Sequence, residues 1–155
     1  MYKRQEEDCP VLDVTPRDGS LSYGEGILIG YRGWTKTPLY AFGSGLGYTS
    51  WTYDEVSATT TEAVVTLTNS GGRAGREVVQ IYLSADNDQG ERPAAWLAGF
   101  ASVEAGPGET VTVRIPLPER AFQIWDTGWR TLPGRYTVTA AHALDDPRRT
   151  VEIEL

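Results

Sequence analysis

From Ala63 to Leu155 apolar and polar residues alternate in short runs, and glycine or proline breaks the pattern every few residues. A period of two sends successive side chains to opposite faces of an extended backbone, so each run reads as a half-buried β-strand. Ala63, Val65 and Leu67 share one face, with Val64, Thr66 and Thr68 on the other. Val79, Ile81 and Leu83 alternate with Val78, Gln80, Tyr82 and Ser84, and Val111, Val113, Ile115 and Leu117 with Thr110, Thr112, Arg114 and Pro116. Tyr136, Val138 and Ala140 alternate with Thr137 and Thr139, and Val151, Ile153 and Leu155 with Thr150, Glu152 and Glu154. Shorter strands are expected at Trp51–Ser57, Leu97–Val103 and Ala121–Trp125.

Turn signals separate the runs: Asn69-Ser70-Gly71-Gly72, Asp86-Asn87-Asp88-Gln89-Gly90, Gly106-Pro107-Gly108, Pro133-Gly134 and Asp145-Asp146-Pro147. Seven or eight short strands in roughly 100 residues imply a mainly β fold, an antiparallel immunoglobulin-like or fibronectin type III-like sandwich. Its inward face is expected to include Val65, Leu67, Val79, Ile81, Val113, Ile115 and Val138. With Cys9 as the only cysteine, a Cys…Trp…Cys core is excluded and no intrachain disulfide can form.

Residues 1–48 read differently. Glycine is dense (Gly19, Gly24, Gly26, Gly30, Gly33, Gly43, Gly45, Gly47), and apolar residues come in clumps such as Ile27-Leu28-Ile29 and Leu39 to Phe42. A short helix around Ile27–Trp34 is the one regular element this stretch suggests. It is too short and too broken to build a core of its own, so it reads as the end of a larger domain.

Charge narrows the partners. Acidic residues number 21 and basic residues 14, for a net charge of −7. Such a chain repels phosphate backbones and anionic lipid, so neither nucleic acid nor a membrane surface is an expected partner. No apolar run approaches the roughly 20 residues of a membrane span. The opening MYKRQEED has no hydrophobic signal core. With the lone cysteine, that leans toward the cytoplasm, although a missing true N-terminus would leave localisation open. Only Lys3 and Lys36 of the basic residues are lysine, an arginine bias typical of a GC-rich coding genome.

Candidate chemistry is sparse. Gly24-Glu25-Gly26 followed by Gly30 has the wrong spacing for a dinucleotide loop, and Gly43-Ser44-Gly45 lacks the leading glycine of a nucleophile elbow, which makes Ser44 a turn residue. Asp86–Gly90 misses the glycine and glutamate positions of a calcium loop and reads as a solvated hairpin loop. His142 and Cys9, each the only one of its kind, cannot make a zinc site, and His142 is expected at the surface or at a strand end. Glu25, Asp54 and Asp126 are carboxylates of the type glycoside hydrolysis needs in pairs, but none sits in a stretch resembling an active-site loop. No cofactor or metal is expected. Five tryptophans, Trp34, Trp51, Trp96, Trp125 and Trp129, would suit inter-sheet or inter-domain packing. The rival reading is an autonomous carbohydrate-binding sandwich that stacks sugars on Trp34, Trp96 or Trp129.

Three longer motifs are more specific. Tyr23-Gly24-Glu25-Gly26-Ile27-Leu28-Ile29-Gly30-Tyr31-Arg32 resembles the Y-x-E-G-I-x-x-G-Y-R segment of glycoside hydrolase family 3. Pro38 to Thr49 resembles that family's P-L-x-P-F-G-x-G-L-S-Y-T, with Ala41 in place of a proline and Gly47 in place of a serine. Asn69 to Leu83 resembles the N-T-G-x-R-A-G-x-E-V-V-Q-L-Y-V run of the family's C-terminal fibronectin type III-like domain. Arg92-Pro93, Leu97 to Phe100, Pro107 to Thr110, Phe122 to Asp126 and Pro133 to Tyr136 continue the pattern.

The resemblance covers about residues 6–155 and implies a division into the end of an α/β sandwich domain, 6–48, and a fibronectin type III-like domain, 49–155. Residues 1–5, MYKRQ, fall outside it and match the codons of a transposon adapter, so they are expected to be a sequencing scar on a truncated reading frame. The resemblance further implies a β-glucosidase-like parent that hydrolyses β-linked saccharides with retention. In that family the nucleophilic aspartate lies on an N-terminal barrel, and the glutamate acid/base lies upstream of the Tyr23 segment. Neither has a counterpart in this chain. The expectation is a structural accessory part with no catalytic residue, partnered by the parent's missing N-terminal domains.

Overall fold

The computed structural model describes residues 15–33, 36–85 and 91–155. Among them nine strands form: β1 (Trp51–Ala58), β2 (Glu62–Asn69), β3 (Gly75–Ala85), β4 (Trp96–Ala105), β5 (Thr110–Pro116), β6 (Gln123–Trp125), β7 (Trp129–Thr131), β8 (Arg135–Ala143) and β9 (Asp146–Glu154). All pairings are antiparallel. One sheet runs β1-β2-β5, a second β4-β3-β8-β9, and β6 and β7 form a separate two-stranded sheet. Three strands facing four, with hairpins and crossings between sheets, is the sandwich that the alternation predicts.

Register explains the core. Ala63 sits opposite Ile115, Val65 opposite Val113 and Leu67 opposite Val111, so apolar residues meet on one face. On the facing sheet Ile81 pairs with Ala140 and Leu83 with Val138. Val65, Leu67, Val79, Ile81, Ile115 and Val138 are all fully buried. Val113 packs against the same cluster but is only partly buried. Phe122 and Trp96 both meet Tyr136 edge-on, with ring centroids 5.1 and 6.4 Å apart. The Tyr136 hydroxyl donates to the Leu132 carbonyl at 2.6 Å, four residues back. That backward bond at the start of β8 is the tyrosine corner of such sandwiches.

One buried polar residue ties the sheets together. Asn69 ends β2 with no exposure. Its amide donates to Arg73 O at 2.7 Å and Ala105 O at 2.9 Å, and its Oδ1 accepts from Thr49 Oγ1 at 2.6 Å and Gly71 N at 3.1 Å. Every polar atom of the side chain is satisfied, so its burial costs little.

Two expectations need correction. The strand expected over Ala121–Trp125 begins as a 3-10 turn, Glu119–Phe122, and only Gln123–Trp125 is extended. Pro118 precedes that turn, and Phe122 is drawn into the core, so the short alternation there is overridden by packing. In place of a helix around Ile27–Trp34, the structure has a four-residue 3-10 turn, Gly30–Gly33. Gly26 and Gly30 take positive φ angles of 54° and 64°, which no continuous α-helix accepts.

Candidate functional site

The outer face of the four-stranded sheet carries two polar side chains that alternation alone would leave in water. Gln80 and Tyr82 lie on the face of β3 opposite Val79, Ile81 and Leu83, yet both are buried. The chain from Ala41 to Gly45 covers them. Gln80 Nε2 donates to Gly43 O at 3.0 Å and also to His142 O. The Tyr82 hydroxyl donates to Gln80 Oε1 at 2.7 Å and lies 3.5 Å from Phe42 O. Leu144 N donates to the same Phe42 carbonyl at 3.0 Å. Burial pushes the Tyr82 phenol well above its ordinary pKa, so it stays a donor across physiological pH. Tyr31 stacks on Phe42 with centroids 4.2 Å apart, and its hydroxyl accepts from Leu97 N at 3.0 Å.

Beside this contact lies a groove of about 690 Å³, lined by Leu46, Arg76, Glu77, Phe100, His142 and Arg148 among others. Glu77 is buried, and its Oε1 lies 2.8 Å from His142 Nδ1 and accepts from Val78 N at 2.9 Å. His142 Nε2 faces the Gly45 carbonyl at 3.3 Å. Burial by itself lowers the His142 pKa. The hydrogen bond and charge of Glu77, with help from Gly45 and Asp146, outweigh it and leave the pKa raised. A carboxylate and an imidazole are thus in contact, but no nucleophile joins them. The Ser44 hydroxyl is spent on Ala41 O at 2.8 Å, closing a turn. Five of these side-chain contacts end on backbone carbonyls of the covering segment or β8, an arrangement that holds a chain in place.

The carboxylates singled out in the sequence sit on separate elements. Glu25 is in the turn before the 3-10 segment, where its carbonyl accepts from Leu28 N at 2.9 Å. Asp54, on β1, is exposed and accepts from Thr68 Oγ1 at 2.7 Å. Asp126 lies in the exposed β6–β7 turn, its amide donating to Gly128 O at 2.9 Å. Among the described residues no three His, Cys, Asp or Glu side chains gather in a way that could hold a metal. Cys9, Trp34 and the Asp86–Gly90 loop lie outside the described residues. Trp96 is no sugar platform. It is buried, and its indole N–H donates to Ala121 O at 2.9 Å. Trp129 is exposed and pairs across its hairpin with Trp125. His142 is at a strand end as expected, whereas its tie to Glu77 and the burial of Gln80 were missed. Only the spacing Glu77-x-x-Gln80-x-Tyr82, with polar groups inside a β-run, hinted at a covered outer face.

Residues 77–143 match the fibronectin type III-like domain family. Over 88% of its length the chain is 40% identical to the probable β-glucosidase K of Emericella nidulans, and over 90% it is 36% identical to a β-glucosidase of Rhizobium radiobacter. The chain covers 17% and 19% of those two proteins, about a fifth of the curated relatives it matches. A solved family 3 β-glucosidase from Bifidobacterium adolescentis superposes with a TM-score of 0.87 at 29% identity, over 96% of this chain and 24% of that one. The chain corresponds in sequence and fold to the C-terminal region of family 3 glycoside hydrolases. A β-glucosidase from Streptomyces venezuelae, solved with D-glucose, gives a TM-score of 0.82 at 35% identity over 90% of this chain and 19% of that one. In this chain the run Asn69 to Leu83 spans the Asn69 knot and most of β3, while Pro38 to Thr49 contains the segment clasped by Gln80 and Tyr82.

Proposed function

We propose that the chain serves a β-glucosidase-like enzyme as its structural C-terminal part, with residues 6–48 closing the α/β domain and 49–155 forming the accessory sandwich. The parent hydrolyses β-linked glycosides, and the nucleophile and acid/base come from domains that precede this region. The observation that carries the reading is the clasp of Gln80, Tyr82 and His142 on backbone 42–45. It couples the sandwich to the segment through which such a chain would join its catalytic body. The large apolar side chains left exposed before β1, among them Tyr23, Ile29, Leu39 and Tyr40, are surface that such a body would cover.

Complementation tests this. The Rhizobium radiobacter enzyme, truncated before the matched region, should be inactive alone and regain aryl β-glucosidase activity when co-expressed with this chain. Failure of the two to co-purify counts against the reading. So would turnover by this chain alone that vanishes in Glu25→Gln, Asp54→Asn or Asp126→Asn.

A further inference from the structure

The β6–β7 hairpin carries a feature that the accessory role leaves unused. Trp125 and Trp129 stand directly opposite each other at its tip, 64% and 53% exposed, with rings 5.3 Å apart at 72°. The Arg120 guanidinium lies 3.6 Å from the centroid of Trp129. The two indoles form one wall of a groove of about 400 Å³, whose other lining includes Ile27, Arg32, Glu91, Arg92 and Gln123. A groove of that size falls in the range of small-ligand sites.

Its charge is opposite to that of the molecule. Arg32, Arg92 and Arg120 line the groove against one carboxylate, Glu91, in a chain with 21 acidic and 14 basic residues. Among the described residues, none of the three arginines forms an ion pair. Arg92 spends one nitrogen on Phe122 O at 3.0 Å, and its Nε is buried with no partner among the described residues. In an acidic protein, three arginines with no carboxylate partner among the described residues, beside exposed indoles, point to an anionic ligand that also has an apolar face. A pyranose ring offers that face through its C–H groups, which match an indole in size and polarity.

We propose that this groove is a secondary saccharide site, selective for sugars that carry a carboxylate. The sugar ring packs on Trp125, the more exposed indole, and the carboxylate meets the guanidinium groups of Arg32 and Arg120. The site shares no residue with the clasp.

The test is titration of the 155-residue chain with a β-1,4-linked glucuronate trimer and with cellotriose, read by calorimetry and tryptophan emission. The two probes differ only at C6. The glucuronate trimer should bind about tenfold or more tightly than cellotriose at low salt, with the preference shrinking as salt screens the contact. Trp125→Ala should weaken both sugars about tenfold. Arg32→Gln lies off the hairpin and leaves its pairing intact, so it separates ligand binding from hairpin stability; it should erase most of the acid preference. Equal affinity for the two sugars, an unchanged preference in Arg32→Gln, or no uptake of either sugar would overturn the proposal. The last is the outcome expected if the indoles instead seat another protein domain.

Discussion

His142 faces two acceptors at once. A carboxylate and a carbonyl both need a donor, so the contacts to Glu77 Oε1 at 2.8 Å and Gly45 O at 3.3 Å are satisfied together only when both ring nitrogens carry protons. The raised pKa agrees with that geometry. A histidine whose pKa rises on folding contributes stability that is complete below its unfolded pKa of about 6.5 and fades as pH climbs through the folded value. Comparison with His142→Gln should therefore show the largest Tm gap near about pH 5.5 and a clearly smaller one near about pH 8.5. A gap that is the same at both would mean the imidazolium adds nothing. Ile81 gives a simpler test. It is fully buried at the middle of β3, so Ile81→Ala should cost about 2–5 kcal/mol. Val78→Ala, on the exposed face, should stay within about 0.5 kcal/mol. At this scale the sequence separates the two residues by parity alone. It could not show the Glu77–His142 tie, because residues 65 apart in sequence meet only after β3 and β8 pair.

Whole strands were legible because a half-buried strand writes its burial into every second residue. The Ala63/Ile115 to Leu67/Val111 register keeps one apolar face inward, in line with the alternation, whereas alternation says nothing of the order of strands in each sheet. The β6–β7 hairpin was not legible, since three-residue strands are too short to show a period. Nor was the covering of β3's outer face, where the signal is two polar residues in a run that tolerates polar residues anyway. Gly43 is the hinge of that covering. Its φ is +84°, and a Cβ there would collide with the Gln80 amide. Gly43→Ala should therefore release the clasp without dismantling the sandwich. The Leu144 amide, which donates to Phe42 O, should exchange markedly faster, while amides of β3 paired to β8 keep their protection. Loss of protection in both places would show that the clasp supports the sandwich itself.

At the scale of the molecule, order divides near Ala41. Beyond it, strands and turns carry long-range ladders; before it, among the described residues, the backbone-to-backbone bonds of residues 17–33 are local, Arg17 with Ser20, Gly26 to Tyr23, Leu28 to Glu25 and Arg32 to Ile29. Each ordered residue costs about 1–2 kcal/mol of backbone entropy, and local turns with exposed side chains return little of it. Leu39 is 71% exposed and Tyr23 82%, so burial does not make up the difference. Tyr31 is the exception, held between Phe42 and the Leu97 amide. Hydrogen exchange on the chain by itself should show fast amides over residues 17–30, intermediate protection at Tyr31 to Gly33, and full protection at Val79–Leu83. The exposed apolar side chains should also drive self-association at high concentration. Supplying the truncated Rhizobium radiobacter domains should reverse both effects together, slowing exchange over 17–30 and suppressing self-association, since one covering surface would account for both. Slow exchange over 17–30 in the isolated chain would mean that the segment folds unaided, and the need for a covering domain would disappear with it.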